Sequence, residues 1–384
     1  MTRKLYYEDS HLAQFTATVT SCTAAGKRWH VVLDRTAFFP EGGGQPGDTG
    51  TLGEAKVLDT REGMEDVVHV TDRPLAVGAE VEGRLDWGQR FGRMQEHSGE
   101  HIVSGLVHSR HGGTNVGFHM GDDGMLLDFD VELSAEQLAE IELLANEAVW
   151  ADLPVRAEFP APEVLAALDY RSKLDLTEDV RIVTIPGVDQ CACCAPHVAR
   201  TGEIGVIKVL DVTRHRGGVR VRVICGRDAL LDYRMKHDGL GQVAVLFSAK
   251  PEKAAAAAVR VNDQLQDVKR TLGEVQRELI RVKLAAIGET EGNLVLFEPV
   301  LDGAGLRDLV TGAMDRVGGV CAAFSGSEKT GFQYVIGSRH VDLRAKAKEI
   351  NAALEGRGGG APEMIQGTAK CTRRTIRTDR KSVV

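Results

Sequence analysis

Between Gln14 and Leu85, apolar and polar residues alternate in short runs broken by Gly, Asp and Pro. The runs "FTATVTSC", "RWHVVLD", "AKVLDT", "DVVHV" and "EVEGRLD" each carry the period-two pattern of a half-buried strand. Several short strands at this spacing predict a small barrel or sandwich. The period lengthens from Trp87 to His111, where a helix is predicted. A strand at Met125–Phe129 follows, then a helix opened by Ser134, whose Gln137 completes a capping box. Strands near 154–159 and 180–185 lead into a cysteine-rich stretch, and "IGVIKVLDV" with "GGVRVRVICG" predicts a buried hairpin.

The pattern changes again near Arg227. Leu265, Val268, Leu272, Val275, Leu279, Val282 and Ala286 step alternately by three and four, a heptad seam suited to a coiled coil or a long packed helix. Beyond Gly288 strand-like and helix-like runs alternate once more and close on "GRGGGAPEMIQG". The predicted fold class is α+β. Its segments are a barrel-like domain over 1–88, a core over 89–228, a helical linker over 229–290 and a small α/β domain over 291–384.

Composition narrows the class. A chain of 384 residues, 43% hydrophobic and 27% charged, has the balance of an ordinary soluble protein with several cores. No apolar run is long enough to span a bilayer, and the N-terminus lacks the apolar core of a secretory signal. Seven cysteines, four of them scattered singly, fit free thiols in a reducing compartment, so a cytoplasmic location is expected. A net charge of −8 disfavours non-specific nucleic-acid binding over the whole surface. The basic stretches "TRHRGGVRVR" and "TAKCTRRTIRTDRK" still offer local purchase on phosphates.

Three stretches carry candidate chemistry. His97 and His101 in "HSGEH" are four residues apart, on one face of the predicted helix and within reach of one metal ion. That spacing alone is more often a surface coincidence, and the H-E-x-x-H order of a metalloprotease is absent. In "VDQCACCAPHVARTGEIG" two pairings compete: Cys191 with Cys194 as a C-x2-C redox or zinc pair, or Cys193 with His197 as C-x3-H. Pro196 works against the helix a redox pair normally opens, which favours zinc. A full tetrahedral set then needs His97, His101, Cys193 and His197, and thiolate with imidazole suits Zn²⁺. In "DRTAFFPEGGGQPGDTG" the run Gly42, Gly43, Gly44 either is a tight loop or lets backbone N–H groups approach a ligand. It lacks the Lys-Ser/Thr of a P-loop.

Taken in order, "TAFFPEGGGQP", "HSGEH" and "CCAPHVARTGEIG" resemble the motifs of the editing domain of alanyl-tRNA synthetase and, more closely, of the free-standing AlaX family. The resemblance covers about Leu33 to Gly226. The remainder resembles the helical linker and DHH-associated C-terminal domain of the long members. Phe39 stands where tyrosine is common, and "CCAP" where the synthetase has C-G-G-T. The resemblance implies hydrolysis of mischarged tRNA(Ala), chiefly Ser-tRNA(Ala) and secondarily Gly-tRNA(Ala), errors that a pocket for a small side chain cannot fully reject. It also implies Thr36 as partner of the serine hydroxyl and Gln45 as a polar group near the ester. Three tight zinc ligands with one position left for water or substrate are expected. The chain opens directly in the β-rich block, so action in trans is expected, with tRNA binding by the stalk and C-terminal domain. A homodimer through those parts is a further expectation. The competing readings are a zinc hydrolase of a non-RNA ester or amide, a non-catalytic zinc-stabilised RNA-binding module, and a redox protein using Cys191 and Cys194.

Overall fold

The alternating runs close into a six-stranded barrel. Around it the order is Gln14–Ala25, Arg28–Leu33, Val67–Thr71, Ala55–Glu62, Gly50–Leu52 and Glu80–Leu85, which returns to the first strand. Every pairing is antiparallel. Phe15, Ala17, Val19, Val31, Leu33, Leu52 and Val57 turn inward, as period two requires, and form the barrel core. Residues 1–121, 123–172 and 180–378 are described by this computed structural model. Within the chain, Met1–Leu240 and Gly241–Val384 form two compact units.

The helix Trp87–His111 spans the predicted range. Asp86 caps it by accepting from the Gln89 N–H, and Gly112 ends it in the left-handed conformation at φ 66°. Its middle is unusual, because Gln95, Glu96, His97, Ser98, Glu100, His101 and Ser104 are buried along with Met94, Ile102 and Val103. Arg90, on the first turns, is fully buried and pairs with Asp48 just beyond the glycine loop. Asp48 also accepts from the Phe39 N–H at 2.7 Å, and Arg90 Nη2 donates to the Ala37 carbonyl. This buried pair pins the helix to the loop.

A four-stranded antiparallel sheet, ordered Ile207–His215, Gly218–Cys225, Gly124–Phe129 and Asn115–Gly121, backs the helix. The Ser134–Gln137 capping box opens the helix Ala135–Trp150 as expected. Of the hairpin predicted as buried, Gly218–Cys225 is buried, whereas Ile207–His215 is mostly half-exposed or exposed. A smaller sheet of Arg156–Glu158, Ile182–Ile185 and Asp189–Ala192 carries the cysteine stretch. The helix Gly226–Leu246 begins three residues before the segment expected to be a helical linker and continues into it.

In the second unit, the helix Ala254–Ala286 contains the heptad seam. Leu265, Val268, Leu272, Val275 and Val282 are 48% to 64% exposed, so the seam faces solvent in one chain. Leu279, Ile280 and Leu284, near the end of the helix, pack against the α/β domain. That domain has a five-stranded sheet ordered Leu294–Phe297, Cys321–Ser327, Gly331–Gly337, Met364–Ala369 and Arg357–Ala361. "GRGGGAPEMIQG" forms its edge hairpin, with Arg357–Ala361 fully exposed. Residues 379–381 of the basic tail lie outside the described residues. Among the described residues, no helix is long and apolar enough to cross a membrane.

Candidate metal centre

His97 and His101 lie one turn apart, with ring centroids 5.7 Å from each other. The His197 ring completes the group at 5.0 and 4.6 Å from theirs. Cys193 reaches it from the end of the strand Asp189–Ala192, and its Sγ lies 3.5 Å from His97 Nε2 and 3.4 Å from His197 Nε2. One donor atom from each of His97, His101, Cys193 and His197 lies within 4.8 Å of all the others, so the four could hold a metal ion.

The outer nitrogens explain why the rings face inward. His97 Nδ1 lies 2.9 Å from Gln45 Oε1, His101 Nδ1 lies 2.9 Å from Asp189 Oδ2, and His197 Nδ1 lies 3.0 Å from Ser98 Oγ. With each Nδ1 held from outside, the Nε2 lone pairs are free to converge on a metal ion. Asp189 is held in turn by both arms of Arg171, at 2.7 and 2.9 Å. Burial works against ionisation of Asp189, but His101 and Arg171 keep its carboxyl below the usual range. Burial likewise opposes a Cys193 thiolate, yet His97, His197 and the bond to His101 bring the thiol well below its ordinary value. His197 is pushed down to about 3, chiefly by burial. A thiolate and a neutral imidazole are the forms that bind a cation. Burial also opposes charge on His101, but Asp189 and Cys193 raise it well above its ordinary value.

A cavity of about 230 Å³ opens beside these donors, with Tyr7, Phe118, Phe159, Glu100 and Arg181 among its walls. Ser104 and Asn115 donate to Glu100 Oε1 at 2.7 and 2.6 Å and fix that carboxylate at the wall. Gly43 also lines the cavity. Gly42 and Gln45 exchange N–H···O bonds of 3.0 Å across the turn. At Gly44, φ is 82° and a Cβ would lie 2.7 Å from the Phe118 carbonyl oxygen, so only glycine fits.

The fold therefore brings together His97, His101, Cys193, His197, the glycine turn and Gln45. Gln45 is fully buried behind His97, where it orients the ring and does not line the cavity. Thr36 is not brought to the cavity. It is fully buried, lies 2.8 Å from His69 Nε2 through its hydroxyl, and accepts there from the Phe38 N–H. Cys191 joins His101 and Asp189 in an overlapping donor set, but both oxygens of that carboxylate are already engaged. Asp189, Arg171, Ser98, Glu100 and Arg181 escaped the motif reading. Ser98 beside His97 and Asp189 before the cysteines were visible as polar neighbours, but their partners lie 88 or more residues away.

The threonyl and alanyl tRNA synthetase second additional domain matches residues 180–222. The class II (A) tRNA synthetases match residues 2–89. The alanine–tRNA ligase of Pyrococcus abyssi is 30% identical over 395 residues, covering 96% of this chain and 42% of the ligase. The chain thus spans less than half of that enzyme. The mouse alanyl-tRNA editing protein Aarsd1 is 36% identical over 228 residues, 55% of each chain. The alanyl-tRNA editing protein AlaX-L of Pyrococcus horikoshii is 30% identical over 390 residues, 96% of this chain and 94% of the relative. With that coverage in both directions, the chain belongs to the family of alanyl-tRNA editing proteins.

Proposed function

We propose that the chain is a trans-editing hydrolase that deacylates mischarged tRNA(Ala), chiefly Ser-tRNA(Ala) and secondarily Gly-tRNA(Ala), in the cytoplasm. The observation that carries this reading is the four-donor cluster of His97, His101, Cys193 and His197 beside a cavity of about 230 Å³, in a chain of this family. In the reaction a water oxygen bonds to the ester carbonyl carbon and the bond to the ribose oxygen breaks. Free amino acid and a tRNA with its terminal hydroxyl restored are released.

One thiolate, three imidazoles and three outer-nitrogen partners fit Zn²⁺, which when bound supplies Lewis acidity toward the ester carbonyl. The residues of the chain do the rest. Gln45, Asp189 and Ser98 set the direction of the imidazoles. Gly43 leaves the cavity wall without a side chain, and Phe118 and Phe159 give that wall apolar surface. Thr36 is the proposed partner of the serine hydroxyl, and to take that role its hydroxyl would exchange His69 Nε2 for the substrate.

In this reading 1–88 and 89–228 form the editing module, 229–290 the coiled-coil stalk and 291–384 a DHH-associated-like domain that grips tRNA. The exposed seam from Leu265 to Val282 supports a homodimer. The test compares zinc-loaded protein on Ser-tRNA(Ala) and on serine methyl ester. Preferential hydrolysis of the tRNA ester supports editing. Efficient hydrolysis of the small ester alone supports the non-RNA hydrolase, and tight tRNA binding without hydrolysis supports a binding module.

A further inference from the structure

Two arginines near the site, the buried Arg90 and the half-buried Arg171, have carboxylates. Arg90 pairs with Asp48 and Arg171 with Asp189. Among the described residues, Arg181 has none. It is 6% exposed, and its Nη1 donates to the carbonyls of Cys193 and Ala195 at 3.0 and 2.8 Å. The guanidinium lies 5.2 Å from the centroid of the Tyr7 ring, while its Nε is buried with no hydrogen-bond partner among the described residues. A permanent cation held out of water with a donor unmatched is costly unless an anion arrives.

We infer that Arg181 is an anion-binding residue of the cavity that takes the 5′-phosphate of the nucleotide carrying the ester, with Tyr7 and Phe159 as the wall for its base. This rests on the editing reading. In an aminoacyl-tRNA the ester sits on the terminal ribose, so a phosphate lies one sugar away from the carbonyl that reacts. Arg181 occupies the matching place, because its bond to the Cys193 carbonyl sets the guanidinium beside the donor cluster on the wall of the same cavity. The Tyr7 and Phe159 rings meet edge to face, with centroids 5.4 Å apart, and Phe159 is 51% exposed. Exposed rings beside a cation are how single-stranded ends are held without reading their sequence.

The test uses the zinc-loaded full chain, with adenosine 5′-monophosphate and adenosine as probes in titration calorimetry. The monophosphate is expected to bind about tenfold more tightly than adenosine, the value of one charge-assisted contact. Arg181→Gln should erase that difference at unchanged zinc content and raise KM for Ser-tRNA(Ala) by a similar factor, and Arg181→Lys should keep part of it. Equal binding of the two probes by the unsubstituted protein overturns the inference, even if Arg181→Gln does not fold. An Arg181→Gln protein that keeps the monophosphate preference also overturns it. So does one that loses zinc while keeping that preference, because Arg181 then only braces the Cys193 loop. Failure of Ser-tRNA(Ala) deacylation with the phosphate preference intact counts against the editing reading instead.

Discussion

Gln45 Oε1 lies 2.9 Å from His97 Nδ1, and this single bond makes the glycine loop part of the candidate metal centre. The loop supplies the orienting group from the barrel side, while Asp189 does the same from the cysteine side and Ser98 from within the helix. Three imidazoles are thus held by an amide, a carboxylate and a hydroxyl.

Replacing Gln45 should loosen the metal without removing a donor. Gln45→Ala is expected to lower zinc affinity about 10–100-fold, measured by competition with a chelator. Gln45→Glu should recover much of the loss, since a carboxylate also accepts from Nδ1. Unchanged affinity in Gln45→Ala would show that the bond does not orient His97.

Asp189 stands between the His101 imidazole and the half-buried Arg171 guanidinium. Asp189→Asn leaves the Arg171 guanidinium without its counter-charge, and breaking such a pair costs about 3–5 kcal/mol. Denaturant unfolding of the zinc-loaded protein should register that loss, and adding Arg171→Met should restore part of it. Equal stability of Asp189→Asn and the unsubstituted protein would contradict the buried pairing.

His69 makes the barrel sensitive to acid. Burial lowers it from 6.5 to about 4, so it remains neutral in the folded chain while the unfolded chain protonates it near 6.5. The unfolded state therefore binds more protons between these values. The His69 contribution is fully present above pH 6.5 and is lost as pH falls toward 4, to a total of about 3 kcal/mol. Between pH 7.5 and pH 5 the unsubstituted protein should lose about 2 kcal/mol more stability than His69→Gln. Parallel losses in urea unfolding would mean that His69 is not held neutral.

The exposed seam predicts self-association. Sedimentation equilibrium should give a dimer, and Leu272→Glu with Val275→Glu should give a monomer whose circular dichroism is little changed. A monomeric unsubstituted protein would leave the seam for another partner.

Much of this architecture was legible because it depends on local period and on caps. Val31 and Leu33 alternate as a strand must, and Asp86, Ser134 and Gln137 mark helix starts by their own hydrogen bonds. The four donors could be grouped because thiolate and imidazole chemistry restricts which residues can share an ion. What surrounds them was not legible. Nothing near Gln45 says that its amide turns toward a helix 52 residues on, and nothing near Thr36 says that His69 takes its hydroxyl. Arg181 is one arginine among many until the fold shows it buried and, among the described residues, met by no carboxylate. The helix Gly226–Leu246 lies almost wholly in the expected helical linker, but its start was not marked, because Leu230, Leu231, Tyr233 and Met235 are exposed and follow no simple stripe.

Editing by this metal centre is read out by single-turnover deacylation. Zinc-loaded protein and a His101→Ala variant of measured zinc content are to be given Ser-, Gly- and Ala-tRNA(Ala) side by side. The expected outcome is rapid release of serine, slower release of glycine, sparing of Ala-tRNA(Ala), and loss of activity with the metal in His101→Ala. Full activity in a zinc-free His101→Ala protein, or no release of serine by the fully loaded one, would contradict it.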